Sequence, residues 1–345
     1  MGQLDEHSKR VELDLIDRKI LYLLSLNARF SESSIAKSLN LSKEVVHYRI
    51  KGLQKKDFLH GFITVVDAEK LGLRVHSVHL LLHPSYNKDE LLASLVGDER
   101  ISHLKHLNSP LELQFGVSTK SVREFMEFFD HFLNDFHASI RDYSISTILE
   151  EHFMGLDFLV EDLEKPTISE HKGSSFQQLF LGQKSIKSTE TPSSTGTIPL
   201  DSKDYEILHH LKLNSRMPLV QLAQEMQLAT TSVQKRLGNL IAQGVIKHFI
   251  PIASFSYLGY QWYSLHLRTK NINEKSFLHY LREDPHIVWL SKRLGRWTYH
   301  LSIFAQNTTQ FNNVVQKLQQ QFGDSIIAYE TAAILKQYKF TPRVR

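Results

Sequence analysis

Two short segments of the chain carry cationic and hydrogen-bonding side chains at helical spacing. The first has Ser42, Lys43, His47, Tyr48, Arg49, Lys51 and Lys55, and the second has Thr230, Thr231, Gln234, Lys235 and Arg236. Side chains of these types hydrogen-bond to base edges in the major groove of double-stranded DNA and to its backbone phosphates. We therefore predict that both segments are DNA-binding helices, with Lys55 and Lys56 as phosphate contacts.

The residues around each segment predict the three short helices of a helix-turn-helix domain. Asp14 and Asp201 are suited to cap the first helix, and a tight turn, 40–42 or 227–229, separates the second helix from the third. The third helix needs one apolar face packed against the other two. The residues expected on that face are Val45, Val46, Ile50 and Leu53 in the first copy and Val233, Leu237 and Leu240 in the second.

The second half of the chain repeats the first at a constant spacing. Asn27, Arg29, Arg49 and Leu53 reappear as Asn214, Arg216, Arg236 and Leu240. A duplicated segment of this length indicates two tandem arms, so that whatever one arm does, the other does or once did. Because Arg49 and Arg236 recur in register, each is either a structural residue or a DNA contact, and the sequence leaves this open.

The remainder of each arm shows the order strand, helix, strand, strand, helix, strand, which predicts a ferredoxin-like βαββαβ sandwich. The fold class is therefore α+β, with a winged helix-turn-helix followed by a sandwich in each arm. The predicted domains are helix-turn-helix 13–66, sandwich 73–160, flexible linker 165–199, helix-turn-helix 200–252 and sandwich 260–340. Within the linker, Phe176–Leu181 is an apolar segment that we expect to pack locally.

The charge distribution favours a nucleic-acid partner. The chain has 41 Lys and Arg against 37 Asp and Glu, whereas residues 13–63 alone hold nine against five. The absence of cysteine excludes disulfides and thiolate metal sites. A polar N-terminus and the lack of a long apolar run predict a cytoplasmic protein with no membrane partner. Neither the motifs nor the spacing of the 19 histidines predicts a metal, a cofactor or an enzyme.

The pattern Leu-Asp-x-x-Asp-x-x-Ile-Leu, followed by Asn-x-Arg and by Arg-Ile or Arg-Leu, resembles the Lrp/AsnC (feast/famine) family of transcription regulators. The resemblance covers both arms, 13–156 and 200–336, although the usual family member has one arm per chain. It implies a sequence-specific DNA-binding regulator whose arms dimerise through their sandwiches. It also implies an amino acid or a related small molecule as the effector.

In this family the effector region lies around the hairpin between the second and third strands of the sandwich. The matching residues are Gly295, Arg296, Trp297 and Thr298, with Thr298 where Asp is common. The first arm has Asn108–Glu112 at this place and lacks the Gly. The resemblance therefore implies an effector site in the second arm, and the alternative is a hairpin whose Trp297 only packs on the strands.

Two arms in one chain suggest an intrachain pseudo-dimer, with or without further homo-oligomerisation. Two non-identical reading heads would favour an asymmetric operator. Siroheme decarboxylases share this architecture and provide an enzyme alternative, but they carry an Arg-rich stretch after the helix-turn-helix. Here the corresponding stretches are 60–63 and 247–250, with Lys247 as the one fixed cation. A protein-interaction module that does not bind DNA is the third interpretation.

Overall fold

The computed structural model describes residues 10–84, 88–168 and 196–345. These residues form two compact units, and each unit takes segments from both arms. One unit, the sandwich unit, contains Gly72–Phe153 and Tyr260–Arg343. The other, the helical unit, contains the described residues up to Leu71 and the described residues of Met154–Gly259, together with Val344–Arg345. The two helix-turn-helix domains therefore lie in one unit, and the two α/β domains lie in the other.

The helical unit holds both helix-turn-helix domains. Its first domain consists of α1 (Leu15–Leu26), α2 (Glu32–Leu39), α3 (Lys43–Lys55) and β1 (Leu59–Val66), and its second of α6 (Ser202–Leu211), α7 (Leu219–Glu225), α8 (Thr230–Ala242) and β6 (Ile246–Ala253). The predicted caps are present, because the Asp14 and Asp201 carboxylates accept hydrogen bonds from the amides of Asp17 and Asp204, each at 2.9 Å. Strands β1 and β6 pair antiparallel, so the two wings share one small sheet.

The two helix-turn-helix domains are joined by backbone contacts that occur twice. The Ala28 amide donates to the Phe249 carbonyl at 2.8 Å, and the Ser215 amide donates to the Phe62 carbonyl at 2.9 Å. Ala28 and Ser215 occupy the same position in the repeat, as do Phe62 and Phe249. The two helix-turn-helix domains therefore have approximate twofold symmetry within this unit.

Arg29 and Arg216 reinforce this junction from opposite sides. Each guanidinium lies over an aromatic ring of the other domain, Arg29 at 5.6 Å from the Phe249 centroid and Arg216 at 5.2 Å from that of Phe62. The carbonyl groups that they bind are those of Ser215 and Met217 for Arg29, and those of Ala28 and Phe30 for Arg216. Burial lowers the pKa of Arg29 to about 10, which leaves the side chain charged at neutral pH.

The sandwich unit contains one βαββαβ set from each arm. Its elements are β2 (Arg74–Leu82), α4 (Lys88–Gly97), β3 (Ile101–Asn108), β4 (Leu113–Thr119), α5 (Val122–Phe136) and β5 (Ile140–Phe153), then β7 (Gln261–Thr269), α9 (Glu274–Glu283), β8 (Ile287–Leu294), β9 (Tyr299–Ala305), α10 (Thr308–Phe322) and β10 (Ile326–Phe340). The predicted order of elements is confirmed in both arms.

The eight strands of this unit close into a barrel. The first arm contributes the order β3-β4-β2-β5, and the second contributes β8-β9-β7-β10. The long last strands complete the ring, because β5 pairs antiparallel with β8, and β10 pairs antiparallel with β3. The α/β domains of the two arms are therefore joined within the chain by main-chain hydrogen bonds.

The apolar core of the first sandwich lies between the strands and their helices. Its strand residues include Val78, Leu80, Leu104, Phe115 and Val117, and its helix residues include Leu91, Leu95, Phe125 and Phe129. Ser121 caps α5 by accepting a hydrogen bond from the Glu124 amide at 3.1 Å, and the phenylalanines of that helix belong to the core. In the second sandwich, Tyr263 and Phe311 stack at 4.2 Å in the corresponding layer.

Two parts of the predicted domain division need comment. Residues 154–160, which we predicted within the first sandwich domain, belong to the helical unit, where a short 3-10 helix (Asp157–Val160) packs against α1. The Arg18 side chain on α1 donates to the Leu159 carbonyl at 2.6 Å, which ties this segment down. Residues 169–195 of the predicted linker, including Phe176–Leu181, lie outside the described residues. Across the described ranges, no helix has the length and apolar character needed to cross a membrane.

We expect Arg29→Ala to lower the free energy of unfolding by about 1.5–3 kcal/mol, because it leaves partly buried carbonyl groups without a charged donor. Arg216→Ala should have a similar effect, since its contacts are the reciprocal ones. Urea denaturation followed by circular dichroism measures the change. The matched control is Arg10→Ala, which alters an exposed arginine of the same unit; equal losses for Arg10 and Arg29 would contradict this account of the junction.

Candidate nucleic-acid interface

The third helices, α3 and α8, each bury one face. Val46, Ile50 and Leu53 are buried on α3, and Val233, Leu237 and Leu240 are buried on α8. The prediction for Val45 is wrong, because this side chain is 39% exposed. Adjacent residues of a helix point about 100° apart, so Val45 cannot share the direction of Val46.

The opposite face of α3 is polar and accessible. The exposed residues among the predicted DNA contacts are Lys43, His47, Tyr48, Lys51 and Lys55, with Lys56 beside them. Tyr48 is 79% exposed, which is unusual for a large aromatic side chain without a partner surface. Ser42, also exposed, caps the helix, since its hydroxyl accepts a hydrogen bond from the Val45 amide at 3.3 Å.

Contacts between α2 and α3 fix the orientation of the candidate face. The His47 ring lies 3.1 Å from a carboxylate oxygen of Glu32 on α2, measured from Nδ1. The imidazole remains half exposed in this contact. His47 therefore joins the two helices of the motif and still faces solvent.

The face of α8 is less charged. Thr231 and Lys235 are exposed, whereas Thr230 and Gln234 are half-buried. Lys235 is the equivalent of Tyr48 in the repeat, and Thr230 is the equivalent of Lys43. The two candidate faces therefore differ in both charge and shape.

Arg49 and Arg236 form the same ion pairs in the two domains. Arg49 Nη1 lies 2.7 Å from Asp14 and 2.9 Å from Asp17, at the start of α1. Arg236 Nη1 lies 2.7 Å from Asp201 and 2.8 Å from Asp204, at the start of α6. These contacts give both arginines a structural role, which the sequence had left open beside DNA contact.

The ion pairs also hold the capping carboxylates in their charged form. Burial alone would raise the pKa of Asp14, but hydrogen bonds from the Asp17 amide and from Arg49 outweigh burial and lower it. The pKa of Asp201 is lowered first by the Asp204 amide and then by Arg236. Each carboxylate therefore caps one helix and anchors the third helix at the same time.

The hairpin 295–298 is shaped by the strands around it. Gly295 has φ of 148°, and a Cβ built there would lie 2.9 Å from Cβ of Ser146, so only glycine fits. Arg296 is exposed and its guanidinium lies 5.1 Å from the Trp297 ring centroid. The Thr298 hydroxyl accepts a hydrogen bond from the Thr269 amide at 3.1 Å.

Of these four residues, Trp297 lines a small cavity of the sandwich unit. The other lining residues are His79, Leu107, Ser109, Leu111, Ser144, His266, Glu330 and Ala332. The cavity could not be predicted from the sequence, because its residues come from strands of both arms. A signal was present, however: His79 and His266 are separated by the same spacing that separates Arg49 from Arg236.

Both helix-turn-helix segments match known DNA-binding families. Residues 13–54 match the AsnC-type helix-turn-helix domain, and residues 200–247 match a winged helix-turn-helix DNA-binding domain. The two matches fall on the two repeated segments and include most of α3 and α8.

Curated relatives match one arm at a time. The chain is 27% identical over 121 residues to the HTH-type transcriptional regulator FL11 of Pyrococcus abyssi, which covers 35% of the chain and 80% of FL11. It is 26% identical over 125 residues to the HTH-type transcriptional regulator LrpB of Bacillus subtilis, which covers 36% of the chain and 81% of LrpB. Two uncharacterised HTH-type transcriptional regulators of Pyrococcus furiosus and Pyrococcus horikoshii, 38% and 36% identical, are matched over less than half of their own length.

A match to a solved structure can span both arms together. The siroheme decarboxylase NirDL aligns with a TM-score of 0.59 at 10% identity, covering 95% of this chain and 93% of that one. At this identity the likeness concerns the fold, including the arrangement of two arms. The AsnC-type match in the first arm, the winged helix-turn-helix match in the second and the arm-length regulator relatives support a DNA-binding regulator of the Lrp/AsnC type, with two arms in one chain.

Proposed function

We propose that this protein reads an asymmetric site on double-stranded DNA through its two helix-turn-helix heads and regulates transcription there. The observation that carries the proposal is the accessible face of α3, where Lys43, His47, Tyr48 and Lys51 surround the helix start and middle. In helix-turn-helix complexes, the N-terminal part of the third helix contacts base edges in the major groove. As a regulator of this kind we expect it in the cytoplasm with the DNA.

The residues proposed to contact DNA fall into two groups that differ in their chemistry. Tyr48, Thr231 and Gln234 supply directional donors and acceptors suited to base edges, with Ser42, His47 and Thr230 beside them. Fixed cations suited to phosphates are Lys43, Lys51, Lys55 and Lys235. Arg49 and Arg236 act by holding the third helix through their ion pairs, and their direct contact with DNA stays a prediction.

The junction within the helical unit supports reading by both heads at once. Arg29 and Arg216 bind backbone carbonyls of the opposite domain, so the heads keep a fixed separation. A fixed separation matches a fixed spacing between the two halves of a DNA site. Because the faces of α3 and α8 differ, the two halves of the site should differ in sequence.

We also propose effector sensing in the sandwich unit, through hairpin 295–298, with an amino acid or a related molecule as the ligand. Its support is the family resemblance, together with the exposed Arg296 guanidinium beside Trp297 in that hairpin. Further homo-oligomerisation through the sandwich unit is the last part of the proposal. Exposed Tyr143 and Leu149 on β5, and Tyr329 and Leu335 on β10, offer apolar surface for it.

The first test is selection of bound fragments from random duplex DNA, followed by affinity measurements at several salt concentrations. We expect Lys51→Ala to reduce the slope of log affinity against log salt by about one, since one phosphate contact is removed. Lys235→Ala should do the same if the second head is bound. Lys120→Ala, an exposed lysine of the sandwich unit, serves as the control. No enriched sequence at any salt concentration would reject the proposal.

The second test concerns operator symmetry. A variant with Thr230→Lys, Gln234→His and Lys235→Tyr carries the equivalent α3 residues on α8, while the buried face of α8 is kept. We expect the selected sites to change from two different halves to two similar halves, because each specific base contact discriminates by about 1–3 kcal/mol. An unchanged selected sequence, from a variant with an unchanged melting temperature, would argue against reading by α8.

An enzyme of the siroheme decarboxylase type is the second candidate, and the likeness in fold over 95% of the chain favours it. Against it, the fixed cation of the stretch 247–250, Lys247, lies 3.1 Å from the Asp67 carboxylate and is half-buried. We therefore expect no shift of the Soret band when the protein is mixed with an iron tetrapyrrole. A saturable shift would make the enzyme the leading candidate and would call for a decarboxylation assay.

A further inference from the structure

The interior of the barrel is polar, although the helix-facing side of its strands is apolar. Successive residues of a strand point to opposite faces, so His79, which follows the core residue Val78 on β2, points inward. His79 and His266 on β7 belong to strands that are not neighbours in the ring, yet their imidazole centroids lie 5.3 Å apart. Both side chains therefore lie inside the barrel.

Three imidazoles lie side by side in this interior. His79, His266 and His300 are 7%, 4% and 3% exposed, and the centroids of the last two rings lie 4.8 Å apart. The Ser264 hydroxyl lies 3.1 Å from Nε2 of His266 and 2.8 Å from Nε2 of His300. Nδ1 of His266 and Nε2 of His79 are buried without a hydrogen-bond partner in the described part of the chain. A second N–H on either ring would therefore lack a protein acceptor, and a buried donor in that position is costly.

Two cations are buried beside these imidazoles. Lys105 on β3 is 8% exposed, and its ammonium lies 4.2 Å from the centroid of the Trp262 ring. Arg293 on β8 is 5% exposed and donates to the hydroxyls of Ser291 and Ser77, at 2.9 and 3.2 Å. Among the described residues, no carboxylate lies at ion-pair distance from either cation. A positive charge added to the interior would therefore meet other positive charges that are not neutralised by contact.

Four further charged or titratable groups face or approach the interior: His103 on β3, Glu151 on β5, Arg296 after β8 and Glu330 on β10. Burial and the neighbouring Lys105 lower the pKa of His103 well below its usual value. Arg296 acts on His266 as a further positive charge. Glu330 lines the small cavity beside that ring, but in the described ranges it forms no ion pair with an imidazole. The cavity volume of about 10 Å³ admits at most one water molecule, which would not neutralise an added charge.

Burial is the first cause that keeps these imidazoles neutral. It lowers the pKa of His79 to about 3, and Arg293 and Lys105 lower it further. Burial also lowers the pKa of His266 and of His300 well below the usual value, and the neighbouring positive charges act in the same direction. In an open chain each imidazole takes up a proton at about pH 6.5, its ordinary pKa. Below that pH the open form binds protons that the closed barrel excludes, so the closed form loses stability as the pH falls.

We propose that the barrel is a proton-sensitive closure, in which the uptake of protons by His79, His266 and His300 opens the ring of strands. The first of these residues comes from the first arm and the other two from the second, so their protonation adds repulsion between the arms. Opening breaks the pairing that joins β5 to β8 or β10 to β3. This response is a property of the sandwich unit and is measured on the DNA-free protein. A failure of the DNA experiments would therefore leave it standing.

The tryptophans of the chain provide a probe of this unit. All three, Trp262, Trp289 and Trp297, lie in the sandwich unit, so tryptophan fluorescence follows its opening and not that of the helical unit. Nε1 of Trp262 is buried. Opening therefore shifts the emission to longer wavelength and makes this ring accessible to the neutral quencher acrylamide. We expect both changes on acidification of the full chain, and we expect them to reverse when the pH is returned to neutral.

Urea unfolding of the full chain, followed by tryptophan fluorescence from about pH 7.5 to about pH 5, measures the number of protons involved. The slope of the logarithm of the unfolding constant against pH gives the difference in bound protons between the open and the closed form. We expect this slope to steepen to about three per pH unit below about pH 6, one for each imidazole. An unfolding constant that does not change over this range would overturn the proposal.

Histidine variants assign the protons to residues. His79→Gln, His266→Gln and His300→Gln each remove one titrating group and keep a polar side chain, so each should lower the slope by about one. The comparison uses the slope and not the stability itself, so a variant that is less stable at every pH remains informative. His279→Gln, at an exposed histidine of the same unit, is the matched control and should leave the slope unchanged. The same slope in all four variants would place the acid response elsewhere and overturn the proposal.

Lys105→Met tests the positive interior without altering an imidazole. Burial and Arg293 lower the pKa of Lys105 to about 7, although Glu151 acts in the opposite direction. An unfolded lysine keeps its proton up to about pH 10.4, so the closed barrel loses stability as the pH falls from about 10 to about 7. The variant should remove about one unit of slope in that range, measured by the same urea series. An unchanged slope would mean that the interior accepts a positive charge freely, which would overturn the proposal.

Discussion

Closure of the eight-stranded barrel is the constraint on which the rest of the sandwich unit depends. Each βαββαβ set by itself would leave two edge strands, β3 and β5 in the first arm and β8 and β10 in the second. Unpaired edges are sites of uncontrolled association. Here β5 pairs with β8, and β10 pairs with β3, so that the edges of one arm satisfy those of the other. The duplication thereby places the pairing of two α/β domains inside one chain.

The repeat separates structural residues from the residues proposed to contact DNA. At the junction between the two copies, and where the third helix is paired with the start of the first, the side chains are the same: Arg29 and Arg216, Phe62 and Phe249, Arg49 and Arg236. On the exposed faces of α3 and α8 the equivalents differ, as Tyr48 and Lys235 show. Identity at contacts and difference at the surface are what a rigid pair of unlike DNA-reading heads requires.

Local patterns were sufficient to predict the elements, because burial of one helix or strand face imposes a period on the sequence. They could not predict which strands of different arms pair, since that pairing joins residues such as Phe153 and Trp289 across a long stretch of chain. The inward face of the strands was missed for the same reason: His79 meets His266 only after the ring closes. The misassigned Val45 shows the limit within a single helix, where neighbouring apolar residues cannot both point inward.

The polar interior of the barrel, where the Lys105 and Arg293 side chains are buried, is not explained by a gain in folding stability. Burying an ammonium or a guanidinium costs free energy that well-packed apolar residues would not, and the helices already provide a separate apolar core. The cations are also not a remnant of the duplication, because Lys105 corresponds to Ser291 on the equivalent strand, and Arg293 corresponds to Leu107. Each arm supplies one cation and one cavity imidazole, so the complete charge arrangement exists only in the closed barrel.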